Sequence, residues 1–295
     1  MVRPLVSVIV PTLNAGMMID ALLTRLEHQY RAPDEIIVVD SSSDDNTVAE
    51  VQRHPEVELL TIDRKDFNHG GTRDYALRKS IGDFVLFLTQ DALPKDEHYI
   101  DRLLAPFDDD RVALVYGRQL ARRDARAAER LVRSYTYGSA SFVVTRIDIP
   151  RLGIKAFRAT DVCAAYRRTA YLAVGGFEND VLTNEDMFIA ARFLDANWKI
   201  VYEASAEVIH SHNFTFRQQY SRNYIQGVEI EKHRDIMDNA PLTGEGLSMV
   251  VYTVKHLLRQ GLIPEIGRFI IDCGFRYVGN RKGKIDARRA AKRNA

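Results

Sequence analysis

Residues 83–94 read DFVLFLTQDALP. The six residues Phe84–Thr89 lack the polar alternation of a half-exposed strand, which marks a strand covered on both faces. The run stops at a single carboxylate, Asp91, followed by Ala92, Leu93 and Pro94. The same shape recurs in LVSVIVP (5–11), EIIVVD (35–40), VELLTID (57–63) and RVALVYG (111–117). Helical patterns separate these runs: AGMMIDALLTRLEHQ (15–29), SDDNTVAEVQRH (43–54), GTRDYALRKS (71–80) and KDEHYIDRLLAPF (95–107). Alternating strand and helix predicts an α/β fold with a mostly parallel central sheet and helices on both faces. Ligands of such sheets bind beyond the carboxyl ends of the strands. Asp40, Asp63 and Asp91 each follow the last apolar residue of a strand, so that rule gathers them at one edge.

The second half is less regular. Residues 118–158 are rich in Arg, Tyr and Ser without a clear period. TDVCAAYRR (160–168) has the character of a further strand, a helix begins near Asn184, and KIVYE (199–203) reads as a strand. Beyond Thr215 the chain turns helical. Leu247, Val250, Val251, Val254, Leu257 and Leu258 form one apolar stripe, and Ile266, Phe269, Ile270, Cys273 and Tyr277 another. The organisation expected is a domain over 1–215, with halves of about 1–117 and 118–215, and a helical extension over 216–295 ending in a basic tail.

Composition bounds the function. The 295 residues are 46% hydrophobic and 27% charged, as in a globular protein with a sizeable core. A net charge of +1 carries no instruction to bind nucleic acid, and no basic-aromatic platform accompanies the tail. Cys163 and Cys273 lie far apart without zinc-ligand spacing, which points to two free thiols in a reducing compartment. There is no signal-peptide pattern and no apolar stretch of membrane-spanning length, so the expected location is cytoplasmic.

The strand-end acids admit a local role, since aspartates cap helices and Asp44 or Asp45 is placed to do so. They can equally accept hydrogen bonds from a base or ribose, or hold a cation beside a diphosphate. The turn after the first strand, PTLNAG (11–16), is neither a dinucleotide-binding G-x-G-x-x-G nor a P-loop. A nucleotide must therefore be held another way. A sugar nucleotidyltransferase would want a glycine-rich, basic loop here. A non-catalytic sugar-binding protein is a further reading, against which stand the acids Asp91, Glu185 and Asp186.

Six segments, in order and spacing, carry a resemblance: VSVIVPTLNAG (6–16), EIIVVDSSSDDNT (35–47), FNHGGTRDYAL (67–77), VLFLTQDALP (85–94), GGFENDVLTNEDMFIAAR (175–192) and VIHSHNFT (208–215). Together they resemble an inverting family 2 glycosyltransferase of GT-A fold. With RYVGNRKGK (276–284) they are most similar to bacterial rhamnosyltransferases that use dTDP-rhamnose. The likeness covers about residues 5–240, and the C-terminal helices more loosely. It implies that Asp40 contacts the pyrimidine or ribose, with Pro11, Thr12 and Asn14 nearby. It also implies that Asp63 and Arg73 line the nucleotide pocket and that Gly70 and Gly71 let the backbone pass close to the donor. The family's Asp-x-Asp is here Thr89-Gln90-Asp91, so Gln90 and Asp91 face the nucleotide-sugar and only Asp91 can bind a metal directly. The resemblance supplements it with His210, or alternatively His212, and imidazole favours Mn²⁺ over Mg²⁺ as the divalent cofactor.

In the matching Asn184-Glu185-Asp186, the resemblance makes Asp186 the general base that deprotonates the acceptor, with Glu185 orienting it or binding acceptor. Acids in a helix's first turn also suit the macrodipole whatever their function. The implied partners are a nucleotide-sugar donor and a glycan or lipid-linked glycan acceptor, with a homo-oligomer left open. The C-terminal helices and tail are either solvated or in peripheral contact with an anionic inner leaflet. Trp198 is expected in the core, and Tyr135, Tyr137 and Phe142 over the acceptor side.

Overall fold

The computed structural model describes residues 3–179, 181–237 and 245–294. Each apolar run of the first half becomes a strand and each helical pattern a helix. In order these are β1 (Val6–Thr12), α1 (Ile19–Glu27), β2 (Glu35–Asp40), α2 (Thr47–Val51), β3 (Val57–Thr61), α3 (His69–Lys79) and β4 (Phe84–Leu88). The two-residue β5 (Leu93–Pro94), α4 (Tyr99–Leu104) and β6 (Val112–Leu120) follow. The stretch without a clear period contains α5 (Ala127–Thr136), β7 (Phe142–Val144) and α6 (Ile149–Leu152). Then come β8 (Cys163–Arg167), α7 (Arg168–Ala173), α8 (Glu185–Asp195) and β9 (Lys199–Ile209). Four helices close the chain: α9 (Phe216–Lys232), α10 (Arg234–Met237), α11 (Glu245–Arg259) and α12 (Ile263–Asn294).

The strands form one sheet in the order β3-β2-β1-β4-β8-β6-β9-β5, with β7 paired to β9. β3, β2, β1 and β4 are parallel neighbours, as are β6 and β9. β8 runs antiparallel between β4 and β6, so the sheet is mixed in its second half. The uninterrupted apolar runs are explained by burial on both faces. Ile9, Ile37 and Phe87 point into one core with Ala76, Leu77, Ile189 and Phe193 of α3 and α8. Val8, Val38, Leu86 and Leu88 point into the other with Leu22, Leu26, Ile100 and Leu103 of α1 and α4. β3 is the edge strand and is correspondingly half-exposed. Trp198 packs against the first core, and Cys163 and Cys273 are free thiols.

The two C-terminal stripes are only half used. Val250, Val254 and Leu257 of α11 pack with Ala127, Ile266 and Phe269, while Leu247, Val251 and Leu258 of that stripe stay exposed. On α12, Ile270 and Tyr277 are likewise exposed. The long contact of α12 is with α9, and glycines make it possible. A Cβ at Gly279 would strike the Tyr220 carbonyl, one at Gly283 the Tyr224 carbonyl, and one at Gly227 the Asn280 carbonyl. Those positions let two backbones approach more closely than any side chain permits.

Candidate active site

The carboxyl ends of β1 and β4, the start of α8 and the segment after β9 surround a cleft of about 770 Å³. Because β8 is antiparallel, the residues just before it also reach this edge, which brings in Asp161. Of the expected residues, Pro11, Thr12, Arg73, Gln90, Asp91, Glu185, Asp186, His210 and His212 line the cleft.

Asp40 sits one layer below. It is buried and accepts hydrogen bonds from Thr12 Oγ1 (3.2 Å), the Ser43 amide (2.9 Å) and Ser43 Oγ (2.5 Å). Asn14 adopts a left-handed conformation (φ 52°), and its Oδ1 accepts from the Asp44 amide at 2.9 Å. Gln90 clamps the same turn, accepting from Leu13 N (2.8 Å) and donating to Leu13 O (3.1 Å). Asp63 is found on the surface, paired with Lys65 at 3.4 Å, with two thirds of its side chain exposed (68%) and no part in the cleft lining. β3 ends at the sheet's outer edge, and that is why its strand-end acid falls outside. Gly70 and Gly71 are explained by packing at the start of α3. A Cβ on Gly70 would meet the Glu178 carbonyl, and one on Gly71 the Asn68 side chain that caps the helix.

Arg73 turns inward. Its Nη1 donates to Glu185 Oε1 (2.9 Å) and to the His69 carbonyl (3.0 Å), and its Nε lies 3.8 Å from Asp161 Oδ2. Arg73, Asp161 and Glu185 are all buried. Asp161 also accepts from Tyr166 OH at 2.6 Å. Burial pushes its carboxyl up to about 7 against the pull of Arg73 and the Tyr166 hydroxyl, with Glu185 adding to the rise. Asp186 is raised well above the carboxylate range by burial, then by the charges of Glu185 and Asp161. The turn into α8 is made by Asn184 at φ 67°, a conformation asparagine tolerates better than most residues. It sets both acids in the first helical turn.

On the opposite wall, Asp91 Oδ2 lies 3.4 Å from His210 Nε2 and 3.3 Å from His212 Nε2. The ligand atoms of all three residues lie within 4.8 Å of one another. Burial and the neighbouring His210 bring His212 down to about 4 despite Asp91, so its ring is neutral near pH 7. One carboxylate and two imidazoles fit a divalent cation of the Mn²⁺ type better than Mg²⁺.

Among the cleft residues that the sequence reading did not single out are Asp161, Gln119 and Arg222. Asp161 was signalled only by an acid abutting an apolar strand, whose direction the pattern does not reveal. Gln119 is the last residue but one of β6 and hydrogen-bonds His210 Nδ1 at 2.9 Å. Arg222 of α9 rests over the Phe214 ring at 4.6 Å and has no carboxylate partner among the described residues. Of the expected acceptor-side aromatics, Tyr137 lines the cleft, whereas Tyr135 packs against Tyr252 and Phe142 against Tyr202.

Residues 7–175 match the profile of "Glycosyl transferase family 2". The O-antigen chain rhamnosyltransferase RfbN of Salmonella typhimurium is 37% identical, over 95% of this chain and 89% of its own. The O-antigen chain rhamnosyltransferase WbaN of Salmonella anatum is 36% identical, over 95% and 90%. Among solved structures, the mannosyltransferase PcManGT from Pyrobaculum calidifontis, in complex with GDP-Man and Mn²⁺, superposes with a TM-score of 0.60 at 18% identity, covering 97% of this chain and 86% of that one. Staphylococcus aureus TarS (residues 1–349) in complex with UDP gives 0.57 at 20% identity, covering 86% and 72%.

Proposed function

The chain belongs to glycosyl transferase family 2, and from that premise we propose that it moves rhamnose from dTDP-rhamnose onto a hydroxyl of a cell-surface polysaccharide or its lipid-linked precursor. The observation that carries this reading is the meeting, in one cleft, of the Asp91–His210–His212 cluster and the carboxylates at the start of α8. The full-length likeness to two O-antigen chain rhamnosyltransferases supports the sugar and the class of acceptor.

Asp186 acts as general base. A base needs a carboxylate within hydrogen-bond reach of the hydroxyl, and an acid whose proton affinity is raised accepts that proton more readily. The acceptor oxygen attacks the anomeric carbon from the face opposite the diphosphate. The new glycosidic bond forms as the bond to the diphosphate oxygen breaks, and configuration inverts. Glu185, pinned by Arg73, orients the base. Pro11, Thr12 and the buried Asp40 form the nucleoside side, and Gln90 and Asn14 hold its loop in shape. Arg222, a guanidinium without a carboxylate partner in the cleft wall, faces the leaving diphosphate. A divalent cation held by Asp91, His210 and His212 would neutralise the same charge.

The test is purified protein with dTDP-rhamnose and acceptor, compared with Asp186→Asn. Transfer is expected to vanish in the variant, while dTDP-rhamnose still raises its melting temperature. Unchanged turnover rejects Asp186 as base. Stronger stabilisation by a UDP-hexose than by dTDP-rhamnose rejects the sugar and leaves the family intact.

The division at residue 215 is kept as part of this reading, with the extension completing the cleft through Arg222, Ile225 and Gln226. No helix among the described residues is long and apolar enough to cross a membrane. Contact with a lipid-linked acceptor would instead be peripheral, at the cytoplasmic face, through α12.

A further inference from the structure

Behind the cation cluster lies a buried amide whose orientation is dictated by its neighbours. Gln119 is 2% exposed. Its Oε1 receives Nη1 of Arg133, and a guanidinium has only donors to give. The atom facing Arg133 is therefore the oxygen, and the NH₂ group must face the other way. There it meets two hydroxyls, Tyr137 OH at 2.8 Å and Thr160 Oγ1 at 3.1 Å. The same Oε1 lies 2.9 Å from Nδ1 of His210. An oxygen that can only accept requires Nδ1 to carry a hydrogen. In the neutral ring the lone pair then sits on Nε2, which lies 3.4 Å from Asp91 Oδ2.

We infer that Gln119 is a positioning residue that fixes His210 as the Nδ1–H tautomer and presents an unprotonated Nε2 to a divalent cation shared with Asp91 and His212. This rests on the cation reading of those three residues and deepens it. Arg133 is the second member of the device. It is held by Glu129 at 3.0 Å and locks the amide against the flip that would offer His210 an NH₂ group. Without a cation, a lone pair and a carboxylate oxygen at 3.4 Å oppose each other. With one between them, both become ligands. A histidine whose far nitrogen is hydrogen-bonded in this way is a recurring support of metal sites, and its removal typically lowers metal affinity about 10- to 100-fold.

Two substitutions separate the claim from simple damage. Gln119→Leu removes the acceptor. Gln119→Glu keeps an acceptor for His210 and Arg133, and the Tyr137 and Thr160 hydroxyls can rotate to donate to it. Mn²⁺ binding is measured by the electron paramagnetic resonance signal of free Mn²⁺ in the presence of dTDP, on wild type, both variants and His210→Ala. Ring tautomers are read in the metal-free protein from long-range ¹H–¹⁵N correlations, and thermal melts verify folding. The expected results are an Nδ1–H ring for His210 in wild type and Gln119→Glu, loss of that preference in Gln119→Leu, and Mn²⁺ affinity lowered about 10- to 100-fold in Gln119→Leu but largely retained in Gln119→Glu. If His210→Ala weakens Mn²⁺ binding and Gln119→Leu does not, the positioning role is overturned and the cation site stands. If neither weakens it, the cation reading fails. The tautomer spectrum then decides on Gln119 alone: an Nδ1–H ring in both wild type and Gln119→Leu overturns its role.

Discussion

Arg73 brings one positive charge into a buried space that holds three carboxylates, those of Asp161, Glu185 and Asp186. One cation cannot compensate three anions away from water, so Asp161 and Asp186 hold their protons to higher pH than free carboxyls do. The rise of Asp161 to about 7 and of Asp186 well above its ordinary value expresses that shortage. A base must be ionised to work. The acid limb of kcat/KM against pH is therefore expected well above the carboxylate range. Asp161→Asn, which deletes one negative neighbour, should move that limb to lower pH, and a wild-type limb near pH 4 would refute the coupling. The groups facing Asp161 are Arg73, Glu185, Asp186, Tyr166, Tyr171 and Cys163. Stability follows the same sign. A carboxyl raised from 3.8 to about 7 on folding helps the folded state below the lower value and loses that help as pH climbs through the higher one. The melting temperature of Asp161→Asn relative to wild type should accordingly rise between pH 4 and pH 7. A flat difference across that window places the shift elsewhere. Replacing Arg73 with Met should be harsher, because it strands buried anions. About 3–5 kcal/mol of stability is at stake in chemical denaturation.

At the scale of elements, the glycines of RYVGNRKGK acquire a purpose. Gly279 and Gly283 are four residues apart, hence on one face of α12, and each meets a backbone carbonyl of α9. Gly283→Ala should force the helices apart at a cost of about 1–3 kcal/mol in urea unfolding. α9 carries Arg222 and Gln226 into the cleft wall, so the KM for the donor should rise with it. A stable Gly283→Ala protein with unchanged KM would show that the contact has slack. Elements also mark the limit of legibility. Apolar runs such as Ile36–Val39 betray strands buried on both faces, and the acids closing them betray the cleft edge. Burial patterns carry no direction, however, so the reversal of β8 was hidden, and with it the arrival of Asp161. Sheet order was hidden too: Asp63 ends a strand as Asp91 does, but on an edge that faces water. α5 does carry an apolar face, Ala128, Leu131 and Val132 against α11, but it is short and set among arginines and tyrosines that mask it.

At the scale of the whole molecule, α12 carries an apolar strip that no described residue covers. Ile270, Ile271, Tyr277 and Val278 are each about half exposed on α12, at 48%, 50%, 62% and 54%. A spacing of seven residues superimposes 270 on 277 and 271 on 278, and carries the same line to Lys284, Ile285 and Lys292. Lys282 and Arg288 are tied to Asp286 and Glu231, while Lys284, Lys292 and Arg293 make no ion pair among the described residues. An apolar strip continued by unpaired cations complements an anionic bilayer surface, where each such charge contributes about 1 kcal/mol. The protein should co-sediment with phosphatidylserine vesicles and not with phosphatidylcholine vesicles, and added salt should release it. Lys284→Glu with Lys292→Glu and Arg293→Glu should abolish that binding while leaving transfer to a soluble acceptor unchanged, since none of the three lines the cleft. Ile271→Asn with Val278→Asn should weaken it without altering its salt dependence. Undiminished sedimentation of both sets would remove α12 as the anchor and assign the membrane contact to another surface.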